Sequence, residues 1–313
     1  MIYDLAIIGG GPAGASAGVY AARKRLKTVL ITKDWLGQSS VSDKIENWIG
    51  TVAISGIDLS RNLENHVKTY ADGVIEIKEG ESCVKIDKST SPTSPVNSFS
   101  IQTDKGWYEA KTVLIVSGSH RRKLDISGAS QFEHKGLTYC ATCDGPMYSD
   151  QDVAVIGGGN AAFDSAAQLL AYCKSVTILN RSEKFRADPG TIETISKHKN
   201  VKIITSAIPT EIKGDKFVSS IIYTDTKSNK NIELPVTGIF VEIGSLPNTD
   251  FAKDIIKLDE FNRVPVDHKT QQTQTPGIWS AGDCTDGLYH QNNIAAGDAV
   301  KAIEDIYSYL RAK

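Results

Sequence analysis

The stretch "YDLAIIGGGPAGASAGVYAARKRLKTVLIT", residues 3–32, decides the fold of this chain. It predicts a buried strand, a tight glycine turn, an alanine-rich helix and a second buried strand, which together make a βαβ unit. Gly9, Gly11 and Gly14 form the pattern GxGxxG at the turn. The first glycine permits the turn, the second lets the backbone approach a pyrophosphate, and the third lets helix and strand pack closely. Because a helix N-terminus also attracts phosphate, the stretch predicts a dinucleotide site.

The same pattern recurs in "DVAVIGGGNAAFDSAAQLLAYCKSVTILN", residues 152–180. The three glycine positions are occupied there by Gly157, Gly159 and Ala162. In both copies 23 positions separate the first glycine from the end of the next strand. One such motif is a weak signal, but two at matched spacing, each between a strand and a helix, predict two dinucleotide sites. The strands end at Thr32 and Asn180 instead of the usual acidic ribose-binding residue, so the pattern names neither cofactor.

A third stretch, "TPGIWSAGDCTDG" at residues 275–287, reads as a strand that runs into Gly282 and Asp283 and is followed by a long helical segment. Because it comes after the second βαβ unit, we expect the first domain to be discontinuous and closed by the C-terminal segment. The predicted fold class is α/β, with two Rossmann-like dinucleotide-binding domains. Residues 87–98, rich in Ser, Thr and Pro, predict an exposed hairpin loop.

Length and charge limit the function classes. A chain of 313 residues suits two domains of ordinary size. Its 35 basic and 37 acidic residues give a formal net charge of -2, which disfavours nucleic acid and anionic membranes as partners and favours a small molecule or a protein. The N-terminus has no basic region or cleavage site of a signal peptide, and no apolar run approaches the ~20 residues that span a bilayer. We therefore expect a soluble, cytoplasmic protein.

The segment "YCATCDGP", residues 139–146, places Cys140 and Cys143 three positions apart with Asp144 directly behind them. Zinc would need two further ligands, and neither a second CxxC nor a closely spaced His pair is present in the sequence, so we expect no metal site. Two inert core thiols are disfavoured because the turn is polar. A redox dithiol, which reacts through its thiolate, is the favoured interpretation. Cys83, Cys173 and Cys284 are expected to be small packing residues.

The motifs "GGGPAG", "IENWIG", "CATCDG", "GGGNAA", "FRAD", "IGSLPNT" and "AGDC", in this order, resemble those of the low-molecular-weight thioredoxin reductases. The reductase component of alkyl hydroperoxide reductase is similar too. The resemblance covers nearly the whole chain. It implies an FAD-binding domain at 1–113 and 245–313, enclosing an NAD(P)H-binding-like domain at 114–244 that carries the cysteines. It also implies a homodimer.

The resemblance assigns roles residue by residue. FAD would be held by Gly9, Gly11, Pro12, Ala13, Gly14, Gln38, Asn47, Gly282, Asp283, His290 and Gln291. The second nucleotide would be held by Gly157, Gly159, Asn160, Ala161, Arg181 and Arg186. The family usually reads "YRQA" where this chain reads "YHQNN", so His290 and Asn292 are departures near the flavin.

The resemblance also implies a route for electrons. Hydride would pass from a nicotinamide to FAD, then electrons to the Cys140–Cys143 disulfide, and thiol–disulfide exchange would reduce thioredoxin or a thioredoxin-like protein. Cys143 would be the thiol next to the flavin, Cys140 the thiol that attacks the partner, and Asp144 the proton donor and acceptor. A non-enzymatic alternative is a flavin redox sensor whose CxxC switches conformation.

The electron donor is the open question. Members that use NADPH typically read "HRR" at the second strand end with an arginine four residues further on, whereas this chain reads "NRSEKFR". Arg181 and Arg186 remain, and an arginine fork suits a 2′-phosphate because it forms paired, charge-assisted hydrogen bonds. NADPH is the favoured donor. The alternatives are NADH, or no pyridine nucleotide, with ferredoxin or another ligand in its place.

Overall fold

The computed structural model describes residues 2–42, 44–91 and 98–312. In chain order the strands are β1 (Ile2–Ile8), β2 (Thr28–Thr32), β3 (Ile75–Glu79), β4 (Cys83–Lys88), β5 (Phe99–Thr103), β6 (Trp107–Ile115), β7 (Ser119–Arg121), β8 (Leu137–Thr138), β9 (Asp152–Ile156), β10 (Ser175–Leu179), β11 (Val201–Ile204), β12 (Ala207–Gly214), β13 (Val218–Asp225), β14 (Lys230–Pro235), β15 (Gly238–Val241), β16 (Ser245–Pro247) and β17 (Ile278–Ser280). The α-helices are α1 (Pro12–Arg23), α2 (Gly56–Ala71), α3 (Ala129–Phe132), α4 (Ala141–Asp144), α5 (Asn160–Leu169), α6 (Pro189–Ser196) and α7 (Asn292–Arg311). Short 3-10 helices cover Gln38–Val41, Gly145–Tyr148 and Asp250–Ala252.

The chain divides into two compact units. The first unit combines Met1–His120 with Leu246–Lys313, and the second is Arg121–Ser245. The divisions fall within β7 and β16, while the boundaries placed from the sequence are 113/114 and 244/245. That the first unit binds FAD and the second NAD(P)H stays a prediction.

The first unit is built on a seven-stranded sheet. Its order is β3-β2-β1-β6-β5-β4, with β17 also paired to β6. β1, β2, β3, β6 and β17 pair in parallel, and the β4–β5 and β5–β6 pairs are antiparallel. The β4–β5 pair forms the two arms of the predicted hairpin, and residues 92–97 of its loop lie outside the described residues.

Both faces of the central strand β1 are buried over residues 5–8, which explains the apolar run there. Leu5 and Ile7 belong to one core cluster, in which α1 and α7 contribute many of the residues, and Ala6 and Ile8 belong to the cluster on the other face. The alanine-rich sequence of α1 lets this helix pack against α7. The sheet therefore holds the carboxyl end of β1, where the first glycine loop begins, between two packed layers.

The second unit repeats this plan in smaller form. Its five-stranded parallel sheet has the order β11-β10-β9-β15-β8, so β9 lies between β10 and β15 as β1 lies between β2 and β6. β12, β13 and β14 form a separate antiparallel sheet. Each glycine loop thus leaves the carboxyl end of a central parallel strand, where α/β sheets bind their ligands. No helix within the described ranges has both the length and the apolar character needed to cross a membrane.

Candidate active site

In the first glycine loop, two glycines have no room for a side chain, whereas the backbone of a third faces open space. Gly9 has φ +125°, and a Cβ there would clash with the carbonyl of Val116. A Cβ on Gly14 would clash with the carbonyl of Gly9. A Cβ on Gly11, by contrast, would meet no heavy atom within 4 Å. The open position is the one at which a pyrophosphate would approach the backbone, so the loop fits the predicted dinucleotide.

Polar side chains from distant segments of the first unit meet beside this loop. The Gln38 amide donates to Oδ2 of Asp283 at 3.3 Å, and Nδ1 of His290 lies 3.6 Å from Oδ1 of the same carboxylate. Gly282 has φ +77°, and a Cβ on it would lie 3.4 Å from Cβ of Ala13, in the first turn of α1. Four residues assigned to FAD by the resemblance are therefore brought to the glycine loop by the fold.

A second group of hydrogen bonds joins the segment around Asn47 to the start of α7. The Asn47 amide donates to Oε1 of Gln291 at 3.1 Å, and the Asn293 amide donates to the backbone carbonyl of Asn47 at 2.7 Å. Ser39 and Asn292 are hydrogen-bonded through their side chains at 3.0 Å. Asn292 thus has a partner in the first unit, although the sequence showed it only as a departure. Sequence reasoning missed Ser39 because no motif contains it, and missed Asn293, the last residue of "YHQNN", because its partner is a distant backbone carbonyl.

The second glycine loop has the same construction as the first. Gly157 has φ +153°, and a Cβ on it would clash with the carbonyl of Glu242, as a Cβ on Gly9 would with that of Val116. A Cβ on Gly159 would meet nothing within 4 Å, so this backbone is open to a ligand as well. Asn160 and Ala161 begin α5 and are exposed.

The side chain of Asn160 forms two hydrogen bonds with Asp188. Its amide donates to Oδ2 of Asp188 at 3.1 Å, and its Oδ1 accepts from the backbone N–H of Asp188 at 2.8 Å. Asp188 is the last residue of the "FRAD" motif. This pair fixes the segment before α6 to the first turn of α5.

Asn180 anchors the loop that carries both predicted phosphate-binding arginines. It is buried, and its amide donates to the carbonyls of Ser182 at 2.8 Å and Lys184 at 3.1 Å. The Arg186 backbone N–H also donates to the carbonyl of Gly158 at 2.7 Å. Arg181 and Arg186 are exposed, and neither forms an ion pair with a described residue.

Cys140 and Cys143 form a disulfide with a Cα–Cα distance of 5.3 Å. Cys140 caps the N-terminus of the single-turn helix α4, and its sulfur accepts from the backbone N–H of Cys143 at 3.2 Å. Both residues are partly exposed. Bonded to each other, they have the oxidised form of a dithiol; that this dithiol is redox-active stays a prediction.

Asp144 ends the helix that carries the disulfide. Its carboxylate is hydrogen-bonded to the hydroxyl of Thr138, at the end of β8. Its charge also acts on Tyr148: burial first, and the Asp144 charge second, raise the pKa of Tyr148 to about 12. A carboxyl group thus lies on the same short helix as Cys143 and is held by the hydroxyl of Thr138.

The thiols of the remaining three cysteines are expected to have low reactivity. Burial raises the pKa of the Cys83 thiol to about 12 and that of Cys173 to about 11, and it also raises the pKa of the fully buried Cys284. Thiols of this kind carry little thiolate at neutral pH. Across the described part of the chain, no group of three or more His, Cys, Asp or Glu residues is arranged to hold a metal ion.

Glu242 was not identified from the sequence. It follows β15, is 8% exposed in its side chain, and lies 3.3 Å from Arg121 and 2.7 Å from the hydroxyl of Ser165. Burial raises its pKa, against the opposing effect of the Arg121 charge. No motif contains Glu242. Only the folded structure identifies it, as a buried carboxyl group beside the second glycine loop.

Comparisons with known proteins agree on one family. The model of the pyridine nucleotide-disulphide oxidoreductase family matches residues 3–299. The chain is 34% identical to an NADH dehydrogenase of Bacillus subtilis, over 98% of this chain and 58% of the relative. It is also 34% identical to a component of the alkyl hydroperoxide reductase of Pseudomonas putida, over 98% of this chain and 58% of that protein. The chain thus spans rather more than half the length of these curated relatives.

Among solved structures, the thioredoxin reductase of Giardia duodenalis is similar over 100% of this chain and 99% of that one, with 32% identity and a TM-score of 0.89. The predicted resemblance to the low-molecular-weight thioredoxin reductases and the predicted α/β fold class are confirmed. The two glycine loops and the disulfide therefore lie in the fold expected for them, and the chain belongs to the pyridine nucleotide-disulphide oxidoreductase family, a family of oxidoreductases.

Proposed function

We propose that this protein is a flavin-dependent disulfide reductase. It takes electrons from a reduced donor, passes them through FAD to Cys140 and Cys143, and delivers them to the disulfide of thioredoxin or a thioredoxin-like protein. The observation that carries this proposal is the Cys140–Cys143 disulfide, held at the start of α4 with Asp144 on the same turn. Membership of the family implies FAD and a pyridine nucleotide.

The first unit supplies residues that fit FAD. The open backbone at Gly11 and the N-terminal turn of α1 suit the pyrophosphate. The groups around Asp283 and around Asn47 provide the hydrogen-bonding side chains that the polar parts of the cofactor need. When bound, the flavin would supply the hydride-accepting redox chemistry that no side chain of this protein can perform.

The cysteine pair performs the exchange with the partner. The Cys140 thiolate attacks one sulfur of the partner's disulfide, a mixed disulfide forms, and the first partner thiolate leaves. The Cys143 thiolate then attacks the Cys140 sulfur, which restores the Cys140–Cys143 bond and releases the second partner thiolate. Two electrons pass from the pair to the partner, and the two protons lost by the cysteine thiols end on the partner's thiols. Asp144, on the same helical turn, is the proposed carrier of these protons.

For the donor, we propose NADPH. The second glycine loop is open at Gly159, and Asn180 holds in place the loop on which Arg181 and Arg186 are exposed. The strand ends at Asn180 rather than at a carboxylate that would repel a 2′-phosphate. Two arginines on one anchored loop favour the phosphorylated nucleotide over NADH.

Thioredoxin or a thioredoxin-like protein is the proposed partner because the solved structures similar to this chain include thioredoxin reductases. We also infer that the protein forms a homodimer, as the resemblance to this family implies. Light scattering coupled to size-exclusion chromatography tests the second inference, and a mass of one chain would contradict it.

The donor and the reaction are tested together under anaerobic conditions. The oxidised holoprotein is mixed in a stopped-flow instrument with NADPH, NADH or reduced ferredoxin, and flavin bleaching is followed. We expect NADPH to reduce the flavin at the lowest concentration. Bleaching by ferredoxin alone would overturn the nucleotide assignment while leaving the disulfide reductase intact.

The cysteine pair is tested with Cys143→Ser. This variant should keep its flavin and accept electrons from the donor, yet fail to reduce thioredoxin, because one member of the dithiol is gone. Full turnover by the variant would show that electrons bypass the pair. Donor-dependent flavin reduction without turnover of any protein disulfide in the wild type would favour the redox-sensor alternative.

A further inference from the structure

Thr138 connects the two parts of the disulfide site. It is the last residue of β8 and only 5% exposed. Its hydroxyl is hydrogen-bonded to Oδ2 of Asp144, and its oxygen accepts from the backbone N–H of Cys140 at 3.3 Å. The Thr138 side chain therefore contacts both the Asp144 carboxyl group and the backbone of Cys140, the first cysteine of the pair.

The direction of these hydrogen bonds follows from the atoms involved. A threonine hydroxyl has one proton, and an ionised carboxylate can only accept. Because the Asp144 carboxylate can only accept, the Thr138 proton is directed to it, and the Thr138 oxygen remains free to accept from the backbone N–H of Cys140. A hydrogen bond donated to a carboxylate stabilises the ionised form and holds the side chain in one orientation.

The position of Thr138 is itself fixed by the sheet. β8 pairs in parallel with β15, with Thr138 opposite Phe240. The ring of Phe240 packs edge-on against that of Tyr148, with ring centroids 5.2 Å apart. The hydroxyl is therefore set by a buried strand, whereas Asp144 stands at the end of a single helical turn.

Among the titratable neighbours of Asp144, Cys143 lies on the same helix, Cys140 caps that helix, and Tyr148 in the following turn feels the Asp144 charge. Cys173 faces Tyr148 in turn. Because the pKa of Tyr148 is raised to about 12, its hydroxyl stays protonated at physiological pH and does not exchange protons with Asp144. The proton that Asp144 exchanges in the proposal below therefore comes from the thiols that form when the Cys140–Cys143 disulfide is reduced.

We propose that Thr138 is a positioning residue for thiol–disulfide exchange, which keeps Asp144 ionised and oriented so that it can take a proton from the cysteine pair. The inference rests on the proposed disulfide reductase function. As Cys143 becomes a thiolate, its proton passes to the Asp144 carboxylate, and the same proton then goes to the sulfur that leaves the partner's disulfide. Thr138 exchanges no proton in this step and acts through Asp144.

The test uses the full-length holoprotein with its disulfide reduced by dithionite and freed of excess reductant, so that the natural donor does not enter. Reduction of dithiobis(nitrobenzoic acid), a small aromatic disulfide, is followed across pH. Thr138→Val keeps the shape of the side chain and removes the hydroxyl. The rate at pH 7 should fall on the order of tenfold, and the acid limb of the profile should move up by about one pH unit, because Asp144 loses a stabilising donor.

Two further variants separate positioning from packing. Thr138→Ser restores the hydroxyl and should restore both the rate and the profile. Thr177→Val removes the hydroxyl of another buried threonine of the same sheet, in β10, and should leave both unchanged. A Thr138→Val profile that superimposes on the wild type, or a serine variant as slow as the valine one, would overturn the proposal.

A double-mutant cycle adds an independent criterion. If Thr138 acts through Asp144, then Thr138→Val should cause no further loss in an Asp144→Asn background. Additive losses would contradict the proposal. If the valine variant does not fold, Thr138→Ala and Thr138→Ser take its place, and equal rates for these two would also overturn it. A wild-type protein that fails to reduce the probe would remove the proposed function, and this inference with it.

Discussion

Asn180 closes over Gly158: its side-chain oxygen occupies the space that a Cβ on the glycine would need. The first unit contains the same relationship, since a Cβ on Gly10 would lie 2.5 Å from the hydroxyl oxygen of Thr32. In both units the residue at the end of the second strand is packed onto the glycine loop. Each of these side chains also donates to a backbone carbonyl, Thr32 to that of Asp34 and Asn180 to that of Ser182, which an ionised carboxylate could not do.

We predict that Gly158→Ala destabilises the protein. The new methyl group would displace a buried amide that makes two hydrogen bonds, and leaving such a group unsatisfied costs about 1–3 kcal/mol. Denaturant unfolding measures the change. Gly159→Ala is the matched control: its methyl group has open space, so it should unfold like the wild type but bind the nucleotide less tightly. Equal stability of the two variants would contradict the role given to Asn180.

Asp283 is predicted to secure FAD. The purified wild type should be yellow and release FAD on denaturation. Asp283→Ala removes the carboxylate that holds Gln38 and His290, and should weaken FAD binding roughly tenfold, as expected for the loss of about one charge-assisted hydrogen bond. Titration of the apoprotein with FAD gives the dissociation constant. Asp254→Ala, an exposed carboxylate in the same unit, should have no effect, and an equal loss there would argue against the assignment.

Arg181→Ala should discriminate between the two nicotinamide nucleotides. Losing one charge-assisted contact to a 2′-phosphate should cost on the order of 1.5–3 kcal/mol in NADPH affinity, while NADH affinity barely changes. The concentration dependence of flavin reduction reports both values. A parallel loss for the two nucleotides would mean that Arg181 contacts a group they share.

Glu242→Gln should change how the stability of the protein depends on pH. The folded-state pKa of Glu242 is raised by burial, so protonation favours the folded state, and this contribution is lost as pH rises through the folded pKa. A glutamine stays neutral throughout. The melting temperature of the variant relative to the wild type should therefore increase between about pH 4 and pH 7. Glu183→Gln is the control, because the lowered pKa of Glu183 predicts the opposite slope.

Only the redox pair should react readily with an alkylating reagent. At pH 8 the thiolate fraction is about one in a thousand for Cys173 and about one in ten thousand for Cys83, from pKa values of about 11 and about 12. After reduction with dithiothreitol, iodoacetamide should label Cys140 and Cys143, as mapped by peptide mass spectrometry. Labelling of Cys83 at a comparable rate would refute this prediction.

The βαβ units could be predicted from the sequence because their signals are local. A continuous apolar run is what a strand buried on both faces requires, and β1 and β9 are such strands. The glycine turns that follow them have backbone conformations and close contacts that only glycine tolerates. The CxxC pair was equally local, and its disulfide is present in the structure.

Contacts between distant segments could not be worked out from local pattern. Gln38 and Asp283 are 245 positions apart, and only the family resemblance brought them together before the structure did. The sequence shows Asn180 only as a departure from the usual residues at the strand end, because its partners are backbone carbonyls, which leave no trace in the side-chain sequence. Thr138 and Glu242 were missed for a related reason: their importance depends on burial and on neighbours supplied by other strands.

The first unit is assembled from two stretches of chain, and this has a consequence for biosynthesis. When the ribosome has completed Arg121–Ser245, α7 has not yet been made, so the nascent second unit can fold before the first unit is finished. Until α7 emerges, the alanine-rich face of α1 lacks the helix that packs against it. We therefore expect a product of premature termination before residue 292 to carry a folded disulfide unit joined to an unfinished one, and to be captured by chaperones or degraded.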